Sequence, residues 1–275
     1  HPEETGDLPM GQARPQAALR PWPVSPDAPL PQVHYLSNGR YGVFITASGG
    51  GFSRWGDRDL TRWRTDTTLD NWGSWLYVQD RDSRALWSAA RQPTAVIAES
   101  EQVNFFAHKA EFFRRDHDIS LRMEIAVSPD ADVEVRRVSL TNHDDKMRRL
   151  TLTSYSEVIL AEQAADSRHP AFNKLFIESE YLPELHCLLF RRRPRSAEEA
   201  PIFLAHALTV PHEEKIRISY ETDRARFLGR GQTARHPAAF ASDGGLTETT
   251  GATLDQIMAL SQEVQLRTRA ITQVI

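Results

Sequence analysis

Apolar and polar positions alternate along most of the chain. Ile119, Leu121, Met123, Ile125 and Val127 are spaced by Ser120, Arg122 and Glu124, which predicts a strand buried on one face. Val133 and Val135 begin another run, but its apolar phase then passes to Val138 and Leu140. A β-bulge near Arg136 and Arg137 would produce that shift, since one extra residue exchanges the two faces. Leu150, Leu152 and Val158 continue the pattern with Thr151, Thr153 and Tyr155 opposite, and Ile216, Ile218 and Tyr220 alternate again. Shorter β-branched or aromatic runs lie at 33–36, 43–46, 75–78, 103–106, 111–113, 175–177, 187–190 and 202–208.

Turn chemistry separates these runs: Ser37-Asn38-Gly39, Ser128-Pro129-Asp130, Asn142-His143-Asp144-Asp145 and Ser242-Asp243-Gly244-Gly245. Helical signal is thin. Residues 223–228 allow one turn, stopped by Gly229, and 255–265 fit helix or strand. About a dozen strands without interposed helices predict an all-β fold, a large antiparallel sandwich. No short repeat of solenoid or propeller type is visible.

Residues 1–31 break the pattern with 8 of the 16 prolines. Each lacks an amide donor and restricts its predecessor, so this segment is expected to form no ladder and to serve as an extended linker. Its last part is expected to lie against the domain through Trp22. Residues 32–275 are then the sandwich domain. A linker at the start suggests that something large precedes it, and Thr272 to Ile275 reads as a strand that has just begun.

The chain has 275 residues, 40% of them apolar and 25% charged. A monomer of this size buries roughly 70–75% of its extended surface, enough core to fold without a staple. No stretch approaches the ~18 apolar residues of a membrane span. The first residues carry no basic-then-apolar leader pattern. Cys187, the single cysteine, excludes an internal disulfide framework and a multi-cysteine zinc site, and fits a reducing compartment. A net charge of −4 does not favour nucleic-acid binding, which relies on a basic surface. The one dense basic cluster, Arg191, Arg192, Arg193 and Arg195 around Pro194, reads as a solvated turn between strands, with anion or partner binding as the alternative.

The densest candidate chemistry spans 49–87. It holds five of the six tryptophans (Trp55, Trp63, Trp72, Trp75 and Trp87) together with Gly49-Gly50-Gly51-Phe52-Ser53 and Thr61-Arg62-Trp63-Arg64. Aromatic faces beside Asp and Arg suit a sugar, whose C–H faces pack on rings while its hydroxyls need charged partners. The bland reading is core filling. The triple glycine lacks the Lys-Ser/Thr of a P-loop and reads as a close-approach turn. The pairs Asp57/Asp59, Asp80/Asp82, Asp116/Asp118 and Asp130/Asp132 look like ordinary loop acidity. Glu157 is a candidate proton donor, with a solvent-facing strand glutamate as the bland reading. No histidines show the spacing of zinc hydrolases. His169 stands out because 166–174 is a long polar excursion after a strand, and such loops often carry function.

These residues together carry a resemblance. Asn38-Gly39-Arg40-Tyr41-Gly42, Ile45-Thr46, the run 49–53, Thr61-Arg62-Trp63-Arg64, Trp87-Ser88, 153–157, His169-Pro170-Ala171-Phe172 and 221–231 resemble, in their order, the N-terminal sandwich of glycoside hydrolase family 94 phosphorylases. The likeness is greatest to the corresponding region of bacterial cyclic β-1,2-glucan synthases and runs from about Val33 to about Leu266. It implies an antiparallel β-supersandwich, related in shape to galactose-mutarotase-like sandwiches. It also implies an absent (α/α)6 barrel that carries an inverting phosphorolysis.

On that resemblance the chain is expected to be a fragment of a longer enzyme, one that stops short of the last strand of its sandwich. It is not catalytic itself and contributes loops to the sugar cleft of the barrel. Gly51, Phe52 and Ser53 are implied near the cleft. Trp55, Arg62, Trp63, His169 and Phe172 are the further sugar-binding candidates. The resemblance implies that the loop before Leu175 reaches toward a barrel, that of its own chain or of a second subunit in a homodimer. The family's glutamine-arginine pair there is matched by Asn173 and Lys174, and lysine would hold an oxygen as a point charge instead of a bidentate fork. No cofactor or metal is implied, and inorganic phosphate is the parent's co-substrate. The ligand implied is a β-glucan or gluco-oligosaccharide, and the place is the cytoplasmic part of a bacterial inner-membrane enzyme. Two alternatives stand beside this: a free-standing carbohydrate-binding module, and a mutarotase-like enzyme with a histidine and a carboxylate facing each other on one sheet.

Overall fold

The computed structural model describes residues 20–209, 218–241 and 245–275. Among them are eighteen strands: β1 Trp22–Val24, β2 Val33–Ser37, β3 Tyr41–Thr46, β4 Gly51–Trp55, β5 Arg58–Thr61, β6 Trp75–Asp80, β7 Leu86–Ser88, β8 Ser100–Phe106, β9 Lys109–Asp116, β10 Ile119–Val127, β11 Glu134–Asn142, β12 Arg148–Ala161, β13 Ile177–Leu182, β14 Cys187–Arg192, β15 Ile202–Ala207, β16 Ile218–Asp223, β17 Gln256–Leu266 and β18 Ile271–Val274. Three short helices interrupt them: α1 Gln163–Arg168, α2 Pro170–Lys174 and α3 Arg224–Leu228.

The strands form an antiparallel, mostly β fold. One sheet runs β1-β8-β9-β10-β11-β18, and a second runs β16-β17-β12-β5-β4-β3-β2, with β6 also along β12 and β7 along β6. A third, small sheet is β13-β14-β15. Strand β10 behaves as its alternation predicts. Ile119, Leu121, Met123 and Ile125 are buried, while Arg122 and Glu124 face outward and pair with Glu111 and Arg137. The main core lies between the two large sheets, with Val43, Ile45, Leu121, Leu140, Leu152, Leu260 and Val264 all buried in it. A second, aromatic cluster sits on the outer face of the second sheet. There Trp75, Tyr77, Tyr155 and Ile257 are roofed by Phe227, Leu228 and Phe240. Asp223 caps α3 by accepting the amide of Ala225 at 2.8 Å, and Gly229 ends it with φ +83°.

Three expectations change and one open reading is decided. The proline-rich segment does enter a ladder, since Trp22 pairs with Phe105 and Val24 with Val103. Strand β1 is an edge strand, where Pro23 can sit without a missing donor breaking the sheet. No bulge occurs in β11: its register with β10 is continuous from Val127↔Glu134 to Ile119↔Asn142. Val133 and Val135 are instead left exposed, and Glu134 and Arg136 take the inward positions. Residues 255–265 resolve as strand β17. The run at 175–177 is strand only from Ile177, because Leu175 closes α2. Most of the proline segment, Ile216 and most of the Ser242-Asp243-Gly244-Gly245 turn lie outside the described residues.

The triple glycine is the β3–β4 turn. Gly51 has φ +132°, and a Cβ there would overlap the carbonyl oxygen of Phe44. Glycine is therefore demanded by a close approach of backbone, as the sequence implied.

Candidate functional site

Strand β12 supplies the centre. Its stretch 152–161 is buried throughout, and Glu157 lies in it with its carboxylate on the outer face of the sheet, beside Tyr155. Arg62, just after β5, donates from Nη1 to Glu157 Oε2 at 2.7 Å. The same guanidinium forks onto Asp166 of α1 at 2.8 and 3.1 Å and stands 3.7 Å from Asp255. Arg64 adds a bond to Asp166 at 2.6 Å, Lys174 pairs with Asp255 at 2.8 Å, and Arg224 donates to Glu157 at 2.6 Å. Four cations thus surround three carboxylates. The geometry is that of charge-assisted, partly bidentate pairs.

These pairs set the protonation states. Burial pulls Glu157 upward, but Arg224 and Arg62 more than offset it and hold the carboxyl below its ordinary range. Burial likewise opposes ionisation of Asp166, and Arg62 and Arg64 again win. Glu157 is therefore neither solvent-facing nor a poised acid.

Beside this network lies a cavity of about 200 Å³. Trp72, Trp75 and Tyr155 furnish aromatic surface, Arg224 and Glu157 furnish charge, and Asn71 and Gln232 furnish amides. Such a lining can pack a ring and hold hydroxyls; it offers no ready proton.

The ten residues singled out from sequence do not form one cleft. Arg62 and Lys174 join the ionic network through Asp255. Phe52 faces the other way along β4 and stacks on Phe44 at 5.5 Å, and Trp63 packs on both at 5.1 and 5.8 Å. The buried indole nitrogen of Trp63 finds no hydrogen-bond partner among the described residues. Gly51 is the close-approach residue of the turn. Ser53 points to the interior and donates to Glu134 at 2.6 Å. Trp55 is 43% exposed and donates to Asp132 at 2.8 Å.

The polar excursion at 166–174 is not an open loop. It spans the end of α1 and all of α2. His169, between the two helices, is exposed, and Phe172 is exposed with its ring edge-on to Phe176. Asn173 turns inward and accepts from Arg192 at 3.2 Å. Arg192 is itself buried, whereas Arg191 and Arg193 pair at the surface with Glu178, and Arg195 with Glu199. One aspartate in each of three Asp pairs is buried in an ion pair as well: Asp59 with Arg54, Asp80 with Arg148 and Asp116 with Arg114.

Sequence reasoning did not single out Asp166, Asp255 and Arg224 individually, although Asp166 opens the polar excursion and Arg224 lies in the 221–231 stretch. It also missed an inter-sheet polar knot. Glu134 accepts from Ser53, from Tyr41 at 3.2 Å and from Arg136 at 2.5 Å, while Arg136 reaches the Ser74 carbonyl at 2.7 Å. His206 of β15, 2.7 Å from Ser154 Oγ, feels both charges. His206 and Glu134 thus influence each other, and both are engaged with protein partners.

Comparison with known proteins gives consistent results. The family model for the glycosyl hydrolase 94 supersandwich domain matches residues 22–275. The chain is 34% identical over 265 residues to the cyclic beta-(1,2)-glucan synthase NdvB of Rhizobium meliloti (strain 1021), covering 96% of this chain and 9% of the synthase. It is 25% identical over 222 residues to the N,N'-diacetylchitobiose phosphorylase of Vibrio proteolyticus, covering 78% of this chain and 26% of that enzyme. A second such phosphorylase, from Vibrio furnissii, is 25% identical over 162 residues, 57% of this chain and 20% of the enzyme. The chain spans a small part of each relative. No helix among the described residues is long and apolar enough to cross a membrane.

Proposed function

The chain belongs to the glycosyl hydrolase 94 supersandwich family, and from that membership we propose that it is the non-catalytic, carbohydrate-associated sandwich of a β-glucan-active enzyme. In this reading it walls a sugar cleft completed by an (α/α)6 barrel of the same parent chain. The parent performs an inverting phosphorolysis with inorganic phosphate as co-substrate, in the cytoplasmic part of a bacterial inner-membrane enzyme, and a homodimer would let α2 reach a neighbouring barrel.

One observation carries the reading. Inverting cleavage requires a carboxylic acid with a raised pKa to protonate the leaving oxygen. The carboxylate lining the aromatic cavity, Glu157, and Asp166 behind it are shifted the opposite way, because each is held by two guanidinium groups. The proton donor then belongs to another part of the parent.

The test is direct. The purified domain is incubated with phosphate and linear β-1,2-glucan and assayed for glucose 1-phosphate. No turnover is expected; clear turnover would falsify the division of labour.

A second reading, a free-standing binding module, draws on the Phe44–Phe52–Trp63 face and its unpartnered indole N–H. Calorimetry with β-1,2-gluco-oligosaccharides separates the two. Sub-millimolar binding that disappears in Trp63→Ala favours the module, and no such Trp63-dependent binding favours a wall completed only by the barrel.

A further inference from the structure

A larger cleft, about 320 Å³, lies next to the glycine turn and is lined by a different set of residues from the Arg62 cavity. Its size falls within the roughly 300–1,000 Å³ of ligand clefts. The two cavities touch successive stretches of one segment: 67–70 lines this one, and 71–73 lines the other.

Asp70 is the distinctive group. Its backbone is left-handed, with φ +47°, and its Oδ2 accepts from Ser48 Oγ at 2.5 Å. Gly50 makes room for it, since a Cβ there would come 2.9 Å from Asp70 Oδ1. No ion pair neutralises Asp70 among the described residues. Burial accordingly pushes its carboxyl up, partly offset by Ser48 and Thr46. A half-buried carboxylate of this kind has acceptor capacity that protein donors do not fill.

The rest of the cleft narrows the ligand class. Arg91 is its one cation, and that fork is spent on Asp27, at 2.5 and 3.0 Å, and on Glu101. The cleft therefore offers no free positive charge for a phosphate or carboxylate ligand. Asp27 is neutralised by the same fork, so no base stands ready opposite Asp70 and no acid–base pair is assembled. Gln92 gives one amide hydrogen to the Leu69 carbonyl at 2.7 Å and keeps its oxygen for other partners. Thr67 adds an exposed hydroxyl, and Pro26, Pro29 and Leu69 add apolar wall.

We propose that this cleft binds a neutral polyhydroxyl ligand, one glucosyl residue of a glucan, with Asp70 accepting its hydroxyls and the proline wall packing its C–H face. The choice of glucosyl among polyols rests on the carbohydrate reading above; the choice of a neutral polyol rests on the cleft alone. A sugar site here extends the wall by one subsite without adding chemistry.

The experiment is an NMR and calorimetric titration of the chain with sophorose, the β-1,2-linked glucose disaccharide, and with inorganic phosphate as the anionic control. Sophorose should shift the amides of residues 48, 67–70 and 92, and phosphate should not. Asp70→Asn keeps an oxygen for Ser48 but removes the charge, and should weaken sophorose binding by about tenfold or more. Arg122→Gln, on the outer face of β10 and away from the cleft, should leave it unchanged. Thr67→Ala, at an exposed position, and Gln92→Ala, which also gives up the bond to the Leu69 carbonyl, should each weaken it by about threefold and decide the matter if Asp70→Asn lowers the melting temperature. The proposal is overturned by any of four results: no binding at millimolar sophorose, unchanged binding in Asp70→Asn with the folded state intact, unchanged binding in both rim variants, or loss of binding in Arg122→Gln. A failed titration here leaves the glucose 1-phosphate result standing, so the two readings fail separately.

Discussion

Arg62 holds Glu157 twice. Its backbone N–H donates to the Glu157 carbonyl at 2.9 Å, and its guanidinium donates to the carboxylate of the same residue at 2.7 Å. The first contact continues the β5–β12 pairing; the second makes Arg62 the hub of the buried network. The two are coupled, because the ladder register delivers the side chain to its partner.

Removing the hub should be costly. Arg62→Met leaves Glu157 and Asp166 each with one fewer cation in a buried setting, and broken buried pairs cost about 3–5 kcal/mol. Arg62→Lys should fall between, since an ammonium cannot fork onto Asp166 while reaching Glu157. Urea unfolding of the two variants, with Glu157→Gln for a double-mutant cycle, measures the coupling.

Gly51→Ala and Gly39→Ala should separate two roles of glycine. Both have positive φ, but a Cβ at Gly39 meets nothing within 4 Å, whereas at Gly51 it overlaps the Phe44 backbone. Gly39→Ala should cost about 1 kcal/mol from backbone conformation alone. Gly51→Ala should cost at least ~3 kcal/mol, because the β3–β4 pairing itself must move. Equal midpoints in thermal denaturation would contradict the close-approach reading.

His206 should give the domain an acid sensitivity. Burial lowers its pKa from 6.5 to about 4, aided by Arg136 and partly opposed by Glu134. The unfolded chain then binds more protons between those values. Stability attributable to His206 is fully present above pH ~6.5 and is lost progressively as pH falls toward 4. His206→Gln, which keeps a polar group near Ser154, should flatten the dependence in that window. Denaturation at pH 7, 5.5 and 4.5 in the two proteins isolates the difference.

The roof of the aromatic cavity is tied down by Tyr77, whose hydroxyl donates to the Ala234 carbonyl at 2.6 Å. Tyr77→Phe should cost about 1 kcal/mol or somewhat more, because the carbonyl is left without this donor. Its clearest sign should be faster limited proteolysis within 229–236, with the sandwich otherwise intact. An unchanged cleavage pattern would show that packing of Phe227 and Phe240 alone holds the roof.

The faces of most strands were legible in the chain. The alternation at 119–127 predicts which side of β10 is buried, and Gly51 announces a close approach. Strand β11 shows the limit. Val133, Val135, Val138 and Leu140 invite a bulge, yet the ladder runs straight and turns Glu134 and Arg136 inward. The preference for apolar inward positions is overridden because Ser53, Tyr41 and the Ser74 carbonyl, 60 or more residues away in sequence, satisfy that pair. Glu157 is the same case on β12: a lone charge in a buried strand reads as solvent-facing until Arg62 and Arg224 are placed beside it.

By itself, then, the chain determined the class of fold, its sheet-forming segments and its turns, because period, β-branching and glycine conformation act on neighbouring residues. Only the tertiary structure decided which charges meet, which of the ten candidate residues share a surface, and that Asn173 and Ser53 serve the interior. Those outcomes depend on pairings between distant strands, where desolvation and charge balance are settled by partners that local pattern does not name.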